Sequence, residues 1–303
     1  MQAKPWLAAY PEGVPAEIDA DRYPSVMALL EAGFERFAAQ PAFTNLETTL
    51  AFAEVERLSR AFAAYLQALP QIERGARVAV MLPNTLQSPV VLFGILRAGF
   101  VAVNVNPMYT VPELEHQLND SGAEVVVVLA NFAHTVADAL ARTAVKVVIV
   151  TELGDNCAPL KRFVVNFVVK HVKKLVRPAR LPDPVAYRGA LERGAQLPYA
   201  RPEIGPQDIA FLQYTGGTTG QAKGAMLTHR NIVANTLQTA AWAKPFVPAD
   251  NNVIVTPLPL YHIYSLTVNL FAFIELGGHN LLVTDPRDMK SFTKLLARSR
   301  VAY

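Results

Sequence analysis

The sequence predicts an α/β protein organised around a parallel β-sheet. Between residues 76 and 151, short apolar runs rich in valine alternate regularly with amphipathic helical patterns. Continuous apolar strands separated by helices are typical of parallel strands that are covered on both faces. The composition fits a folded globular chain, because 51% of the 303 residues are hydrophobic and 17% are charged.

Residues 24–69 predict two helices joined by a short β-hairpin. Apolar side chains recur at three- and four-residue spacing along most of this stretch. The interruption at residues 41–52 is typical of two short strands. We expect the aromatic residues of both helices to lie in the core.

Residues 71–185 predict a doubly wound α/β unit. The predicted strands are 78–82, 101–103, 125–129 and 145–150, and the predicted helices are 88–98, 110–121 and 132–143. Thr110 and Glu113 have the spacing of a capping box at the start of the second helix. No Gly-x-Gly-x-x-Gly motif follows the first strand, where Pro83 and Asn84 stand, so we expect no dinucleotide site there.

Residues 161–177 predict a basic amphipathic helix without acidic residues. Its six basic residues are Lys161, Arg162, Lys170, Lys173, Lys174 and Arg177. A helical projection gathers the valines on one broad face and places Asn166 on the other with the lysines. Two interpretations stay open: the helix lies in an anionic membrane interface, or it packs its valines on the sheet and leaves its lysines solvated. Three prolines between residues 178 and 184 then indicate a linker.

The remainder of the chain predicts further strands and helices. The predicted strands are 209–212, 225–227, 253–255 and 281–283, and the predicted helices are 228–243, 266–276 and 289–298, with Thr228 or His229 as the cap of the first helix. We expect residues 1–70 and 205–303 to form part of a second α/β subdomain.

A run rich in glycine and threonine lies between two predicted strands of the second subdomain. Its residues are Tyr214, Thr215, Gly216, Gly217, Thr218, Thr219, Gly220, Gln221, Ala222, Lys223 and Gly224. Glycine lets the backbone approach a ligand closely, and successive backbone N–H groups can form an anion-binding nest. Lys223 adds a mobile charge suited to phosphate. The run therefore predicts a phosphate-binding loop, and a flexible linker is the alternative.

The spacing differs from the Walker motif, because two residues separate Gly220 from Lys223. The sequence of residues 213–231, QYTGGTTGQAKGAMLTHRN, instead resembles the phosphate loop of the adenylate-forming acyl-ligase superfamily. The usual form of that loop has Ser or Thr in place of Gly216 and Pro in place of Ala222. Both departures are similar to the bacterial long-chain fatty-acid–CoA ligases, as are residues 6–23, 92–122 and 276–288.

A second cluster of polar aromatic residues follows a predicted strand at residues 257–265, PLPLYHIYS. The superfamily has an aromatic-His element at this point downstream of its phosphate loop. By resemblance, His262 contacts the reacting carboxylate or the α-phosphate, and Tyr261 and Tyr264 line the acyl entrance. An imidazole in that position can donate a hydrogen bond to the developing charge.

The resemblance implies the layered αβαβα fold of the large N-terminal domain of adenylate-forming enzymes. It also implies a reaction in two steps: a carboxylate attacks ATP to give acyl-adenylate and pyrophosphate, and the thiol of CoA then displaces AMP. Because two anions meet in the first step, catalysis needs charge neutralisation and in-line positioning. By resemblance Lys223 and Thr218 are catalytic, the loop binds ATP, and Thr215 helps to hold Mg²⁺.

The family's Tyr-Gly-x-Thr-Glu motif, whose glutamate also holds the metal, does not occur in residues 1–303. By resemblance we expect an incomplete adenylation domain that lacks the small C-terminal domain. We expect this chain alone not to complete thioester synthesis, and to expose sheet edges that promote association.

The favoured function is the activation of long-chain fatty acids to acyl-CoA. One alternative is the adenylation of a medium-chain or aryl acid for CoA or a carrier protein. An alternative of another class is a non-catalytic module that docks on a membrane or a protein. The missing Walker spacing disfavours a phosphotransferase.

The net charge, the cysteine content and the N-terminal sequence limit the partners and the cellular compartment that we expect for the protein. A formal net charge of +3 gives no indication of nucleic-acid binding, and the single Cys157 excludes a disulfide framework. The N-terminus lacks the pattern of a signal peptide, and no apolar run approaches the roughly 18 residues of a spanning helix. We expect a cytoplasmic protein with peripheral contact, if any, on the inner face of the membrane, and a homodimer in the full-length form.

Overall fold

The computed structural model describes residues 4–216, 222–248 and 252–302, and these form two sheets with helices on both sides. The strands are β1 Pro41–Asn45, β2 Thr48–Ala51, β3 Arg77–Met81, β4 Val101–Asn104, β5 Ala123–Leu129, β6 Val147–Thr151, β7 Val185–Ala186, β8 Ile209–Thr215, β9 Lys223–Thr228, β10 Val253–Thr256 and β11 His279–Leu282. The helices are α1 Val26–Arg36, α2 Phe52–Gln67, α3 Gln87–Arg97, α4 Val111–Ser121, α5 Ala133–Leu140, α6 Pro159–Phe167, α7 Tyr187–Gly194, α8 His229–Ala243, α9 Ile263–Ser265, α10 Ala272–Leu276 and α11 Met289–Arg298.

The larger sheet has seven strands in the order β7-β6-β5-β3-β4-β8-β9. All neighbours pair in parallel except β8 and β9, which form an antiparallel hairpin. Along β3, Val78 and Val80 pack in one apolar cluster while Ala79 and Met81 pack in another. Successive strand residues point to opposite faces, so both faces of this sheet are covered, as the valine-rich runs predict.

The smaller sheet has the order β10-β11-β1-β2 and joins the two ends of the chain. Strand β1 pairs in parallel with β11 and antiparallel with β2, which confirms the predicted hairpin at residues 41–52. Phe93 of α3 contacts the rings of Phe34, Phe43 and Phe271, which come from α1, from β1 and from the helical turn before α10. A shared helical layer therefore lies between the sheets.

Two outer layers complete the five-layered αβαβα arrangement that the resemblance implies. Helices α4 and α5 cover the outer face of the larger sheet, through Leu114, Leu118 and Val136. Helix α11 covers the smaller sheet, where Phe292 and Leu295 pack against the cluster of Val255, Leu281 and Val283.

The predicted grouping of the strands differs from the structure at β8 and β9. Residues 205–303 are predicted to belong to the second subdomain. In the structure, β8 pairs with β4 through Ala102–Phe211 and Val103–Leu212 and so belongs to the larger sheet. Without β8, the backbone N–H and C=O groups along that edge of β4 would be unpaired, and the buried start of β8 pairs with them. The boundaries of the subdomains themselves stay a prediction.

Side-chain caps explain where two of the predicted helices begin. Glu113 accepts hydrogen bonds from the backbone N–H and the hydroxyl of Thr110 at 2.8 and 2.7 Å, which confirms the predicted capping box of α4. Thr228 accepts a hydrogen bond from the N–H of Asn231 at 3.2 Å and is the cap of α8. Gly277 ends α10 with φ of 69°, a backbone conformation that favours glycine.

The basic segment departs from its helical projection. Helix α6 ends at Phe167, continues as one π-helical turn at Val168–Val172, and then loses regular structure. Asn166 lies inward: it accepts from the N–H of Gly154 at 2.8 Å and donates to Glu152 at 2.9 Å. The placement of Asn166 on the solvated face was wrong, because these polar partners hold it against the loop after β6.

His229 makes the stability of the fold depend on pH. It is buried, its Nδ1 accepts from the N–H of Val26 at 3.2 Å, and burial lowers its pKa to about 4. The folded pKa lies below the unfolded one, so this stabilisation is present above the unfolded value of about 6.5 and is lost as the pH falls from there toward 4. We expect the free energy of unfolding in urea to fall by about 2 kcal/mol between pH 7 and pH 5. The variant His229→Gln should lose most of that slope; an unchanged slope would contradict the assignment.

Candidate active site

The predicted phosphate loop lies at the open end of the β8–β9 hairpin. In this hairpin Tyr214 pairs with Gly224 and Thr215 pairs with Lys223. Thr215, Gly216 and Lys223 are exposed, whereas Tyr214 is buried. The predicted site residues Gly217, Thr218, Thr219, Gly220 and Gln221 lie outside the described residues. The described part therefore fixes both ends of the loop and presents a hydroxyl and an ammonium group there.

Helix α4 supports the hairpin from the outer face of the sheet. The hydroxyl of Tyr214 donates to Oδ2 of Asp120 at 2.5 Å, and Nε2 of His116 lies 3.1 Å from the carbonyl oxygen of Ala222. Burial, and then the hydrogen bond to Asp120, raise the pKa of Tyr214. The phenol therefore stays protonated and keeps donating to Asp120, and the helix contacts the residues on both sides of the loop.

Gly224 leaves room for the ring of Tyr214 across the hairpin. A Cβ atom at residue 224 would lie 2.9 Å from two ring carbons of Tyr214, whereas a Cβ at Gly216 would meet no atom of the described residues within 4 Å. Because Asp120 holds the ring, we expect Gly224→Ala to lower the free energy of unfolding by about 1–3 kcal/mol, the usual cost of overpacking. Gly216→Ala is the matched control and should change it by less than about 1 kcal/mol. Equal effects in urea denaturation would show that the ring moves aside.

A chain of buried amides links this hairpin to the second predicted cluster. Gln117 of α4 donates to the carbonyl of Asn104 at 2.8 Å, and Asn104 donates to Oε1 of Gln213 at 3.0 Å. Gln213 in turn donates to the carbonyl of Tyr261 at 2.9 Å. The segment that carries Tyr261 and His262 is thereby fixed beside β8, directly before the loop.

Asn84 holds the other end of that segment. Its Nδ2 donates to the carbonyl oxygens of Thr256 and Leu258, both at 2.9 Å, and its Oδ1 accepts from the N–H of Leu260 at 2.8 Å. The hydroxyl of Thr284 donates to the carbonyl of Asn84 at 2.9 Å. Asn84 is 2% exposed, so these bonds form away from water and rigidly connect the end of β3 to the segment after β10.

The aromatic and histidine side chains of the second cluster differ in exposure. Tyr261 is half-buried, and burial raises its pKa, whereas His262 and Tyr264 are exposed. Nδ1 of His262 accepts from the N–H of Tyr264 at 3.3 Å, so Nε2 is left for a ligand. An imidazole, an ammonium and a hydroxyl thus face solvent beside a common strand, which suits an anionic ligand.

The described residues contain no group of three or more His, Cys, Asp or Glu side chains that could hold a metal ion. Thr215 is nevertheless a fitting single ligand, because Mg²⁺ prefers oxygen and usually keeps water and phosphate oxygens in its shell. Its exposed hydroxyl at the end of β8 fits that role.

Sequence reasoning predicted the loop and the second cluster but missed the amides that join them. Asn84, Asn104, Gln117 and Gln213 are all buried. For Asn104 and Gln213 the available signal was an amide side chain in an otherwise apolar strand, because a buried amide requires partners.

Comparisons with known proteins agree with this architecture. The family model described as AMP-binding enzyme matches residues 30–303. The chain is 54% identical over 295 residues to a long-chain-fatty-acid–CoA ligase of Escherichia coli O6:H1, an alignment that covers 97% of this chain and 53% of that ligase.

Two solved structures have the same fold at lower identity. Apo MbtA of Mycobacterium smegmatis matches with a TM-score of 0.72 and 24% identity over 97% of this chain and 48% of its own. The anthranilate CoA ligase AuaEII in complex with anthranoyl-AMP matches with a TM-score of 0.76 and 17% identity over 94% of this chain and 50% of its own. The chain therefore spans about half the length of each protein that it matches here.

Proposed function

This chain belongs to the family of AMP-binding enzymes, and from that premise we propose that it forms the ATP- and acyl-binding part of a long-chain fatty-acid–CoA ligase. The observation that carries the proposal is the β8–β9 hairpin, which presents Thr215 and Lys223 beside the segment of Tyr261 and His262. The 54% identity to the E. coli ligase supports the choice of acid.

In the proposed first step, an oxygen of the fatty-acid carboxylate attacks the α-phosphorus of ATP, and the bond to the departing pyrophosphate breaks. Lys223, the loop amides and the hydroxyl of Thr218 neutralise the phosphate charge during this displacement. His262 donates to the carboxylate or the α-phosphate, and Tyr261 and Tyr264 line the entrance of the acyl chain.

In the proposed second step, the thiol of CoA attacks the acyl carbon and AMP leaves. Mg²⁺ would neutralise phosphate charge when bound, and Thr215 is the residue of this chain that would hold it. We propose that both steps require residues beyond those of this chain, because the relatives are about twice as long.

Two alternatives are weaker. A medium-chain or aryl acid in place of a long-chain acid would keep the same site, but the anthranilate ligase supports only the fold at 17% identity. A non-catalytic docking module would not explain why Lys223, Thr215 and His262 are exposed close to one strand. We also propose a cytoplasmic protein that is a homodimer in its full-length form and contacts the membrane peripherally through residues 161–177.

The test is carboxylate-dependent exchange of labelled pyrophosphate into ATP. It should be run on the 303-residue chain and on the same chain joined to the second half of the E. coli ligase, with that ligase as the positive control. We expect exchange only in the joined protein, with rates that rise from acetate to oleate. A maximum with short or aryl acids would overturn the substrate, and the absence of exchange in both forms, with an active E. coli control, would overturn the proposed function.

A further inference from the structure

We propose that residues 160–177, here called the α6 surface, dock on an anionic lipid bilayer. The proposal rests on the proposed function for the lipid substrate, and it deepens the peripheral membrane contact included there by naming the surface residues and the charge of the lipid. Its test does not measure ligation. Either proposal can therefore fail alone.

The α6 surface exposes an unusual amount of apolar side chain. Leu160, Phe163 and Val172 are 78%, 68% and 64% exposed, and Val164, Phe167 and Leu175 are each about half exposed. The ring of Phe167 lies between those of Phe163 and His171, at centroid distances of 6.1 and 5.0 Å. A contiguous exposed patch of this kind marks an interaction site more often than an ordinary surface.

The fold holds the α6 surface in a fixed orientation, because polar contacts connect its inward side to the loop after β6. Asn166 accepts from the N–H of Gly154 and donates to Glu152, and Val169 is 8% exposed beneath the π-helical turn. The N–H of Leu175 then donates to the carbonyl of Val169 at 3.0 Å, which folds the end of the segment back. With Asn166 held inward, Phe163 and Phe167 are turned to solvent.

The positive charge around the apolar patch favours an anionic lipid surface over a protein as the partner. Residues 156–182 contain seven arginines and lysines and no acidic residue. Lys170, Lys173, Lys174 and Arg177 are exposed around the apolar patch, while Lys161 lies 4.0 Å from Glu47. Each basic residue near an anionic leaflet contributes about 1 kcal/mol, and aromatic and aliphatic residues then enter the headgroup boundary. Protein interfaces are instead depleted in lysine.

The geometry indicates a segment that lies on the bilayer. No helix within residues 4–216, 222–248 and 252–302 is long and apolar enough to cross a membrane. Helix α6 has nine residues, none of which is buried, and Leu160, Phe163 and Phe167 are exposed to solvent. Such a segment binds at the interface plane, where a lipid substrate would be available to the protein.

The test is co-flotation of the 303-residue chain with vesicles of phosphatidylcholine alone or with about 30% phosphatidylglycerol, a fraction that gives a strong negative surface potential. We expect binding to the anionic vesicles that weakens in high salt. The triple variant Lys170→Glu, Lys173→Glu, Lys174→Glu should lower the partition coefficient by more than about 100-fold. The double variant Phe163→Ser, Phe167→Ser should lower it by about 10-fold or more.

Matched controls change the same kinds of residue elsewhere on the exposed surface. The triple control is Arg57→Glu, Lys244→Glu, Lys290→Glu, and the double control is Trp6→Ser, Phe246→Ser. Both should bind anionic vesicles within about 3-fold of the unmodified chain, apart from general charge effects. Equal losses in variants and controls, flotation with neither vesicle, or equal binding to neutral vesicles would each overturn the proposal.

Discussion

In the 303-residue chain joined to the second half of the E. coli ligase, replacing Lys223 by alanine is expected to lower the rate of carboxylate-dependent pyrophosphate exchange by about 100- to 1000-fold. Lys223 is exposed at the first position of β9, paired with Thr215 across the hairpin. Within residues 4–216, 222–248 and 252–302, no ion pair joins its ammonium group to another side chain, so its charge is available for the β- and γ-phosphates. Removal of one positioned donor to a developing anion typically costs a few kcal/mol in the transition state.

Two further variants distinguish charge from structure. Lys223→Arg keeps the charge but changes the donor geometry, so partial activity is expected. Lys244→Ala removes an exposed lysine outside the hairpin and should leave the exchange rate within about 2-fold, because distant exposed charges are screened by salt. The urea midpoint of Lys223→Ala should equal that of the parent protein. A small loss of exchange at unchanged stability would remove Lys223 from the proposed mechanism.

The strands and helices could be predicted because their signals are local. Valine-rich runs and helical spacing are properties of five to fifteen neighbouring residues, and the elements from β3 to β6 follow them closely. The sheet membership of β8 is not local, because its pairing with β4 joins residues more than one hundred positions apart. No periodicity within residues 205–228 contains that information.

The orientation of α6 could not be predicted for a related reason. Its valines and phenylalanines occupy so much of the helix that more than one face is apolar. The inward face was decided by Gly154 and Glu152, which bind Asn166 and are twelve and fourteen residues away. The two hydrogen bonds of Asn166 therefore determined which face of the helix lies inward, and the hydrophobic pattern of the sequence did not.

The residues of the candidate site could be proposed from the sequence, but the contacts that bring its two segments together could not. The glycines, threonines and Lys223 form a local motif whose ends the structure places on a hairpin. The approach of Tyr261 to β8 depends on Asn104 and Gln213, amides that local patterns treat as weak strand formers. The structural role of these two amides can be recognised only when their hydrogen-bond partners are known.

Replacing Asn84 by alanine is expected to lower the free energy of unfolding by about 3 kcal/mol, or about 1 kcal/mol for each of three hydrogen bonds. The change removes one donor from each of the carbonyls of Thr256 and Leu258 and leaves the N–H of Leu260 without its acceptor at a buried position. The two carbonyls keep a second donor, which is the N–H of Val283 for Thr256 and the hydroxyl of Ser265 for Leu258. Because these groups set the path of the chain toward His262, pyrophosphate exchange by the joined protein should also fall by about 10-fold or more. Urea denaturation and the exchange assay measure the two effects.

Asn84→Asp separates lost volume from lost hydrogen bonding. The carboxyl group fills the same space and can still accept from Leu260, but it places an oxygen against the carbonyls of Thr256 and Leu258. It should therefore destabilise the protein at least as much as alanine, since like partial charges would meet in a buried site. Asn119→Ala is the control: Asn119 makes one exposed bond to the carbonyl of Arg142, worth less than about 1 kcal/mol. If Asn84→Asp were as stable as the parent protein, packing alone would hold this segment, and the active-site geometry would not depend on the end of β3.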